Sequence, residues 1–303
     1  MKVVMFPGQG TQYPKMYNQF KYARLYKDTF YKASEYLDSD LSYICNNYSE
    51  DELKQTEIAQ LIVFVHNMGI YNILKSSGFN EDYVIGHSLG QINAFVASGT
   101  VSFKDGLNIV KKRSELMSNI NVNGAMILIL DLEEKIITNE IKDLGVSVHL
   151  AIKNSDSSFV FAGELKDIIK LKNILLKKYE GRIIDVAVNK PFHTPIMNPI
   201  KNEFKEYINS LKFYEPQIPV ILNSTGKFAY NAEDIKDELV NQITSPVLWK
   251  NSIDLLSDRL GYNIDFYEVG ARKGLSKILS NINPKFKTIT TNSIEEIYSL
   301  VCF

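Results

Sequence analysis

The chain has 303 residues, 45% hydrophobic and 23% charged, the proportions of a globular protein able to bury a substantial core. Its 34 Lys and Arg against 35 Asp and Glu leave a net charge of -1, so no electrostatic footprint for nucleic acid or an anionic membrane is present. No apolar run is expected to reach a membrane span.

Lys2 to Phe6 reads as a buried strand, too short for the core of an export signal. A cytoplasmic setting is therefore expected, with the two cysteines, Cys45 and Cys302, reduced and in no metal-binding spacing. Pro7-Gly8-Gln9-Gly10-Thr11-Gln12 follows as a loop. Its glycines either converge main-chain N–H groups into an anion nest or simply turn the chain. Residues 20 to 56 are polar with a helical pattern, and Thr56 to Ser76 reads as one apolar helix carrying Gln60 and His66. His66 is expected to be a satisfied core histidine.

Asp82 to Gly99 carries the strongest local signal. Tyr83, Val84 and Ile85 form a short strand, Gly86-His87-Ser88-Leu89-Gly90 follows at once, and a helix with Ile92, Phe95 and Val96 on one face runs to Gly99. Strand, Gly-x-Ser-x-Gly, helix is the setting of a nucleophile elbow, in which a sharp turn exposes the serine at its tip. The alternative is a serine capping an ordinary helix. Ser102 to Asn119 is a further helix bearing Lys111, Lys112 and Arg113. Three adjacent cations usually mark a solvated face, although one of them can turn inward toward a site.

From 124 to 189 the rhythm changes to strand, helix, strand, strand, helix, strand, a complete ferredoxin-like unit. The predicted elements are a strand over 125–130, a helix over 132–144, strands over 146–152 and 158–162, a helix over 164–180 and a strand over 182–188. Residues 124–189 are thus expected to form a small subdomain inserted into a large one of residues 1–123 and 190–303, hinged at Asn123-Gly124 and Asn189-Lys190-Pro191. The large part resumes with the loop Pro191-Phe192-His193-Thr194-Pro195. A strand over 218–222, helices over 233–243 and 249–260, a strand over 263–269 and a last helix from Gly274 follow. Strands alternating with helices predict an α/β fold with a mostly parallel sheet covered on both faces.

A serine hydroxyl needs a base. Of the four histidines, His66 lies in an apolar helix, His149 in a subdomain strand, and His87 next to the serine, pointing away from it. His193 remains, and elbow serine before late histidine is the chain order of α/β-hydrolase-type sites. Asp185 is the nearest candidate for an orienting acid, but it sits in a predicted strand. A neutral acceptor is the alternative.

Phe6-Pro7-Gly8-Gln9-Gly10, Gly86-His87-Ser88-Leu89-Gly90, Lys112-Arg113 with Met117, Gly124-Ala125-Met126, Asn154-Ser155, Phe192-His193, Asn223 and the stretch Gln242 to Trp249 occur together in that order. Over essentially its whole length the chain resembles the malonyl-CoA:acyl-carrier-protein transacylase family. The resemblance implies an α/β-hydrolase-like parallel-sheet core with an inserted ferredoxin-like (βαββαβ) subdomain. It implies ping-pong transfer of malonyl from malonyl-CoA to the phosphopantetheine thiol of an acyl carrier protein, in fatty acid or polyketide synthesis. It makes Ser88 the nucleophile and His193 the base, held by the main-chain carbonyl of Gln242. The N–H groups of Gln9 and Leu89 become the oxyanion hole, and Arg113 the partner of the malonyl carboxylate. His87, Gln60, Met117, Phe192 and Asn154 line the substrate site. No metal or cofactor and no nucleic-acid or membrane partner is implied, and a monomer is expected.

The chain departs from the family pattern at four places. Gln91 stands where Glu is usual, Ser114 where Gly is usual, Leu61-Ile62 in place of Pro-Ala, and Pro191 in place of a small residue. By the resemblance, Leu61-Ile62 and Pro191 are expected to border the acyl pocket, while the bulk of Phe192 suits an unbranched malonyl group. An acyl-thioester hydrolase is the alternative enzyme, though neutral acyl chains give Arg113 no partner. A silent carrier-protein docking module is the alternative outside enzymology.

Overall fold

The protein is described from a computed structural model covering residues 1–300, so Cys302 lies outside the described residues. The described strands are β1 (Lys2–Phe6), β2 (Tyr83–Gly86), β3 (Gly124–Leu130), β4 (Val148–Ser155), β5 (Ser158–Glu164), β6 (Arg182–Asp185), β7 (Asp265–Glu268) and β8 (Lys287–Thr290). They form two sheets, a parallel one in the order β2-β1-β7-β8 and an antiparallel one in the order β4-β5-β3-β6.

In the parallel sheet β1 is central. Its residues Val3 to Phe6 are fully buried because both faces are covered. Side chains alternate along a strand, so Val4 and Phe6 pack into one core and Val3 and Met5 into another. The first core contains the helix Thr56–Ser76, and the second contains Trp249, Ile253 and Leu256 from the helix Trp249–Leu260. Thr56–Ser76 is long and apolar enough by composition to cross a bilayer, against the sequence expectation, but 78% of its most apolar window is buried inside the fold. It is the core helix of the large sheet.

The antiparallel sheet has the strand order and helix placement of a ferredoxin-like unit, with the helices Glu134–Leu144 and Leu165–Lys178 following its first and third strands. It has its own core of Ile127, Ile129, Ile137, Phe159, Phe161 and Leu171. The two sheets meet where Val247 bridges Ile152, through Lys153 N–H to Val247 O at 2.9 Å and Val247 N–H to Ala151 O at 2.9 Å.

Some expected elements differ. Residues 218–222 do not form a regular strand and make only isolated bridges, Val220 beside Val84 and Ile221 beside Phe228. Pro219 has no N–H to donate to a ladder, although its carbonyl accepts from Val84 at 3.1 Å. The strand over 182–188 stops at Asp185, and the polar stretch over 20–56 is broken into Arg24–Leu37, Leu41–Asn47 and Glu50–Leu53. The helix Lys201–Asn209, strand β8 and the helix Ile294–Ser299 were not anticipated.

Candidate active site

The elbow is built by close approach. A Cβ on Gly86 would lie 2.1 Å from the carbonyl carbon of Gly90, and one on Gly90 would lie 1.9 Å from the Phe6 oxygen. Only glycine lets β2 turn so tightly over β1. Between them Ser88 is held at φ 52°, a left-handed conformation that costs a non-glycine residue about 1–3 kcal/mol. Asn223 offsets part of that cost: its Oδ1 accepts from Ser88 N–H at 2.8 Å, and its Nδ2 donates to the Gly86 carbonyl at 2.8 Å.

His193 is also left-handed, at φ 61°, in the loop between Pro191 and Pro195. Its Nδ1 lies 2.8 Å from the Gln242 carbonyl, which can only accept, so the proton sits on Nδ1. Nε2 is then a free acceptor, 2.7 Å from Ser88 Oγ. Burial, assisted by the Arg113 cation and opposed by the Gln242 hydrogen bond, lowers the proton affinity of His193 to a pKa of about 3. The imidazole is therefore neutral near pH 7, as a base must be.

Of the three adjacent cations, Lys112 pairs with Glu203 at the surface, whereas Arg113 is buried. Arg113 Nη1 donates to Gln60 Oε1 at 2.7 Å, and Nη2 donates to Gln242 Oε1 at 2.9 Å and Ser88 Oγ at 3.2 Å. No carboxylate pairs with it among the described residues, and its Nε is buried without a partner. Burial lowers its pKa only to about 10, so it stays cationic. A buried cation held by neutral amides is costly unless an anion visits.

Ser88, His193, Arg113, Gln60, His87 and Gln9 all border one cavity of about 100 Å³. Leu89, Met117 and Phe192 also line it, while Val186 and Val188, following β6, close it from the second sheet. The main-chain N–H groups of Gln9 and Leu89 have no hydrogen-bond partner among the described residues. Asn67, from the core helix, steadies the Gln9 loop by donating to the Pro7 carbonyl at 3.0 Å. Asn154 stands one layer back, bonded through Oδ1 to His87 Nε2 at 3.1 Å, and burial lowers the His87 pKa. A larger groove of about 640 Å³ along the helix Arg24–Leu37 carries none of these groups.

Asp185 is not in the site: it lies on β6, paired with Lys172 at 2.7 Å. His149 is in β4 beside Ser147. His66 is only half satisfied, accepting from or donating to Tyr26 OH at 2.7 Å through Nδ1 while its Nε2 is unpartnered. Three contributors escaped the sequence reading: the side chains of Gln242, Asn223 and Gln91. The family pattern pointed to the Gln242 carbonyl alone, yet its amide also links Arg113, Asn223 and Gln91. Among the described residues, no group of three or more His, Cys, Asp and Glu could hold a metal.

A serine on an elbow, a neutral histidine on its hydroxyl, two free N–H groups and a buried cation in one small cavity are the parts of an acyl-transfer enzyme. The chain matches the acyl transferase domain family over residues 3–259 and belongs to it. It is 32% identical, over 96% of its own length and 95% of the relative's, to a malonyl CoA-acyl carrier protein transacylase of Buchnera aphidicola. An acyl carrier protein S-malonyltransferase of Vibrio cholerae superposes with a TM-score of 0.92 at 28% identity, covering 99% of each chain. A malonyl-transacylase solved in complex with its type II PKS acyl-carrier protein superposes with a TM-score of 0.94 at 25% identity, covering 99% of this chain and 98% of that one.

Proposed function

We propose that this enzyme moves a malonyl group from malonyl-CoA to the phosphopantetheine thiol of an acyl carrier protein, by way of an ester on Ser88. The observation that carries the reading is Arg113, a buried guanidinium with no carboxylate partner among the described residues, 3.2 Å from the serine oxygen. A malonyl thioester brings the missing carboxylate to that cation while its carbonyl carbon lies against the serine. A guanidinium fork suits a carboxylate better than any other buried donor.

In the first half-reaction His193 Nε2 takes the Ser88 proton as Oγ attacks the thioester carbonyl. The N–H groups of Gln9 and Leu89 receive the developing oxyanion. Collapse expels the CoA thiolate, which takes the proton back from His193. In the second half-reaction the carrier thiol gives its proton to His193 and attacks the ester, and Ser88 leaves with that proton. The Gln242 carbonyl keeps Nδ1–H in place throughout, the role a carboxylate plays in a hydrolytic triad. Gln60, Met117 and Phe192 shape the pocket, and Asn154 positions His87. No step calls for a metal or cofactor.

We propose a monomer working in the cytoplasm, with its two subdomains divided at 123/124 and 189/190. Thioester hydrolysis of neutral acyl chains is disfavoured by the unpaired cation. The test is intact-protein mass spectrometry after exposure to malonyl-CoA or acetyl-CoA. Stable malonylation on Ser88, passed on when a holo carrier protein is added, is expected. Preferential acetylation would overturn the reading.

A further inference from the structure

The two main-chain donors assigned to the oxyanion come from different segments. Gln9 lies in the loop after β1, and Leu89 immediately precedes the helix Gly90–Ala97. An oxyanion hole works only when both N–H groups reach one oxygen, so the two segments have to be held in register. Packing supplies part of the hold. A Cβ on Gly8 would stand 2.6 Å from the His87 carbonyl oxygen, and one on Gly270 would stand 2.3 Å from Pro7 Cγ. Such contacts limit where the loop lies. Aiming an N–H group takes directional bonds.

Those bonds converge on one buried amide. Among the described residues, the main chain of Pro7 to Gly10 makes a single hydrogen bond to a group beyond residue 12, from Asn67 Nδ2 to the Pro7 carbonyl at 3.0 Å. The others are local, Thr11 Oγ1 to the Gly8 carbonyl and the Gly10 N–H to Gln12 Oε1. The same Asn67 Nδ2 donates to Asn93 Oδ1 at 3.2 Å, and Asn93 stands one turn after Leu89 on its helix. Asn93 Nδ2 in turn donates to the Phe64 carbonyl at 2.9 Å, on the core helix that carries Asn67. A backbone carbonyl only accepts, so each amide can sit only one way round. Asn67 keeps its nitrogen toward Pro7, and Asn93 keeps its oxygen toward Asn67. Both side chains are fully buried, and Asn67 Oδ1 has no partner. What Asn67 contributes by hydrogen bonding is therefore its two N–H bonds, one to each segment.

We propose that Asn67 is a positioning residue for the acyl transfer: it ties the Gln9 loop to the Leu89 helix and so sets the separation and aim of the two oxyanion donors. It lies behind the cavity and touches no cargo, so it acts on every acyl group alike, and on the barrier rather than on binding. Arg113, by contrast, tells one cargo from another.

This role rests on the Ser88 ester and its oxyanion donors, and malonylation of wild-type Ser88 tests that reading separately. The experiment compares wild type with Asn67→Leu, which keeps the branched outline and removes both N–H bonds, and with Asn93→Ala, which keeps the bond to Pro7 and cuts the link to the helix. Single-turnover loading from malonyl-CoA and from acetyl-CoA is followed by intact mass, and each rate constant is expressed per Ser88 able to load, so that misfolded protein drops out. Asn67→Leu should slow loading about tenfold to a hundredfold with both acyl groups, since a small misplacement or a lost oxyanion donor costs on that order. The half-saturating concentrations should stay within about twofold, as for an interaction made only in the transition state. Asn93→Ala should show the same pattern more weakly, and it carries the test alone if Asn67→Leu does not fold. The second readout is infrared: with malonyl-CoA carrying ¹³C at its thioester carbonyl, the ester band of malonyl-Ser88 should move to higher wavenumber in the variants as the N–H groups lose their aim. A merely structural role would leave that band and the per-site rate where they are. An unmoved band, a per-site rate within twofold of wild type, or a loss confined to malonyl would overturn the assignment.

Discussion

Replacing Arg113 by alanine tests the substrate assignment most directly. The side chain is buried and holds Gln60 Oε1 at 2.7 Å and Gln242 Oε1 at 2.9 Å, while its Nε has no partner. A hydrogen bond to a charged group contributes on the order of 1.5–3 kcal/mol. Losing one such bond to the malonyl carboxylate depresses kcat/KM about tenfold to a hundredfold, at roughly 1.4 kcal/mol per factor of ten. Losing both, with the carboxylate left unpaired in the pocket, costs more. Acetyl-CoA has nothing to pair with the guanidinium and must bury it, so its kcat/KM should change little or rise. The assay measures steady-state transfer from both acyl-CoAs to one holo carrier protein at identical salt, with thermal unfolding followed in parallel. A fall by the same factor for both substrates would make Arg113 a structural residue and remove the physical basis of the malonyl assignment.

Ser88→Ala should abolish acyl loading, because no second nucleophile stands on the elbow; intact mass showing stoichiometric malonylation of that variant would contradict this. Asp185→Asn should leave turnover within a few-fold, since the side chain is paired with Lys172 on β6, whereas replacing a true triad acid costs about 10⁴. Gly90→Ala should unfold the elbow or cost more than about 3 kcal/mol in denaturant melts, because its Cβ would stand 1.9 Å from the Phe6 oxygen. Stability should fall as pH drops below about 6.5. Burial holds His66 neutral down to a pKa of about 3, so the unfolded chain takes up protons that the folded one refuses. At pH 4.5 this one residue costs roughly 2–3 kcal/mol, and His66→Gln should flatten the decline in Tm between pH 7 and 4.5.

The parts that were legible in the sequence are those in which neighbours along the chain do the work. The elbow is one continuous stretch, and its glycines, serine and flanking strand and helix carry their geometry with them. The ferredoxin-like unit announced itself by the order of its elements. His193 could be reached by eliminating the other histidines, and Arg113 by the family pattern. What stayed hidden is tertiary. Gln242 shows one carbonyl in the pattern, yet its side chain contacts groups from helices far away in the chain. Glu238 looks like any acid on an amphipathic helix until the fold buries it against Ser224. Residues 218–222 look like a strand by their apolar run, but Pro219 leaves them only isolated bridges. Strand β8 is short and only partly buried, so its residues show no clean alternation.

The low proton affinity of His193 has a further meaning. Part of it comes from the positive charge of Arg113 in the same cavity. A carboxylate seated on that guanidinium cancels the field the imidazole feels, and the base gains strength at the moment the right cargo arrives. Cargo without a carboxylate leaves the field in place, and His193 stays a reluctant proton acceptor. On the proposed role of Arg113, the enzyme discriminates twice with one charge, once in what it holds and again in how readily it reacts.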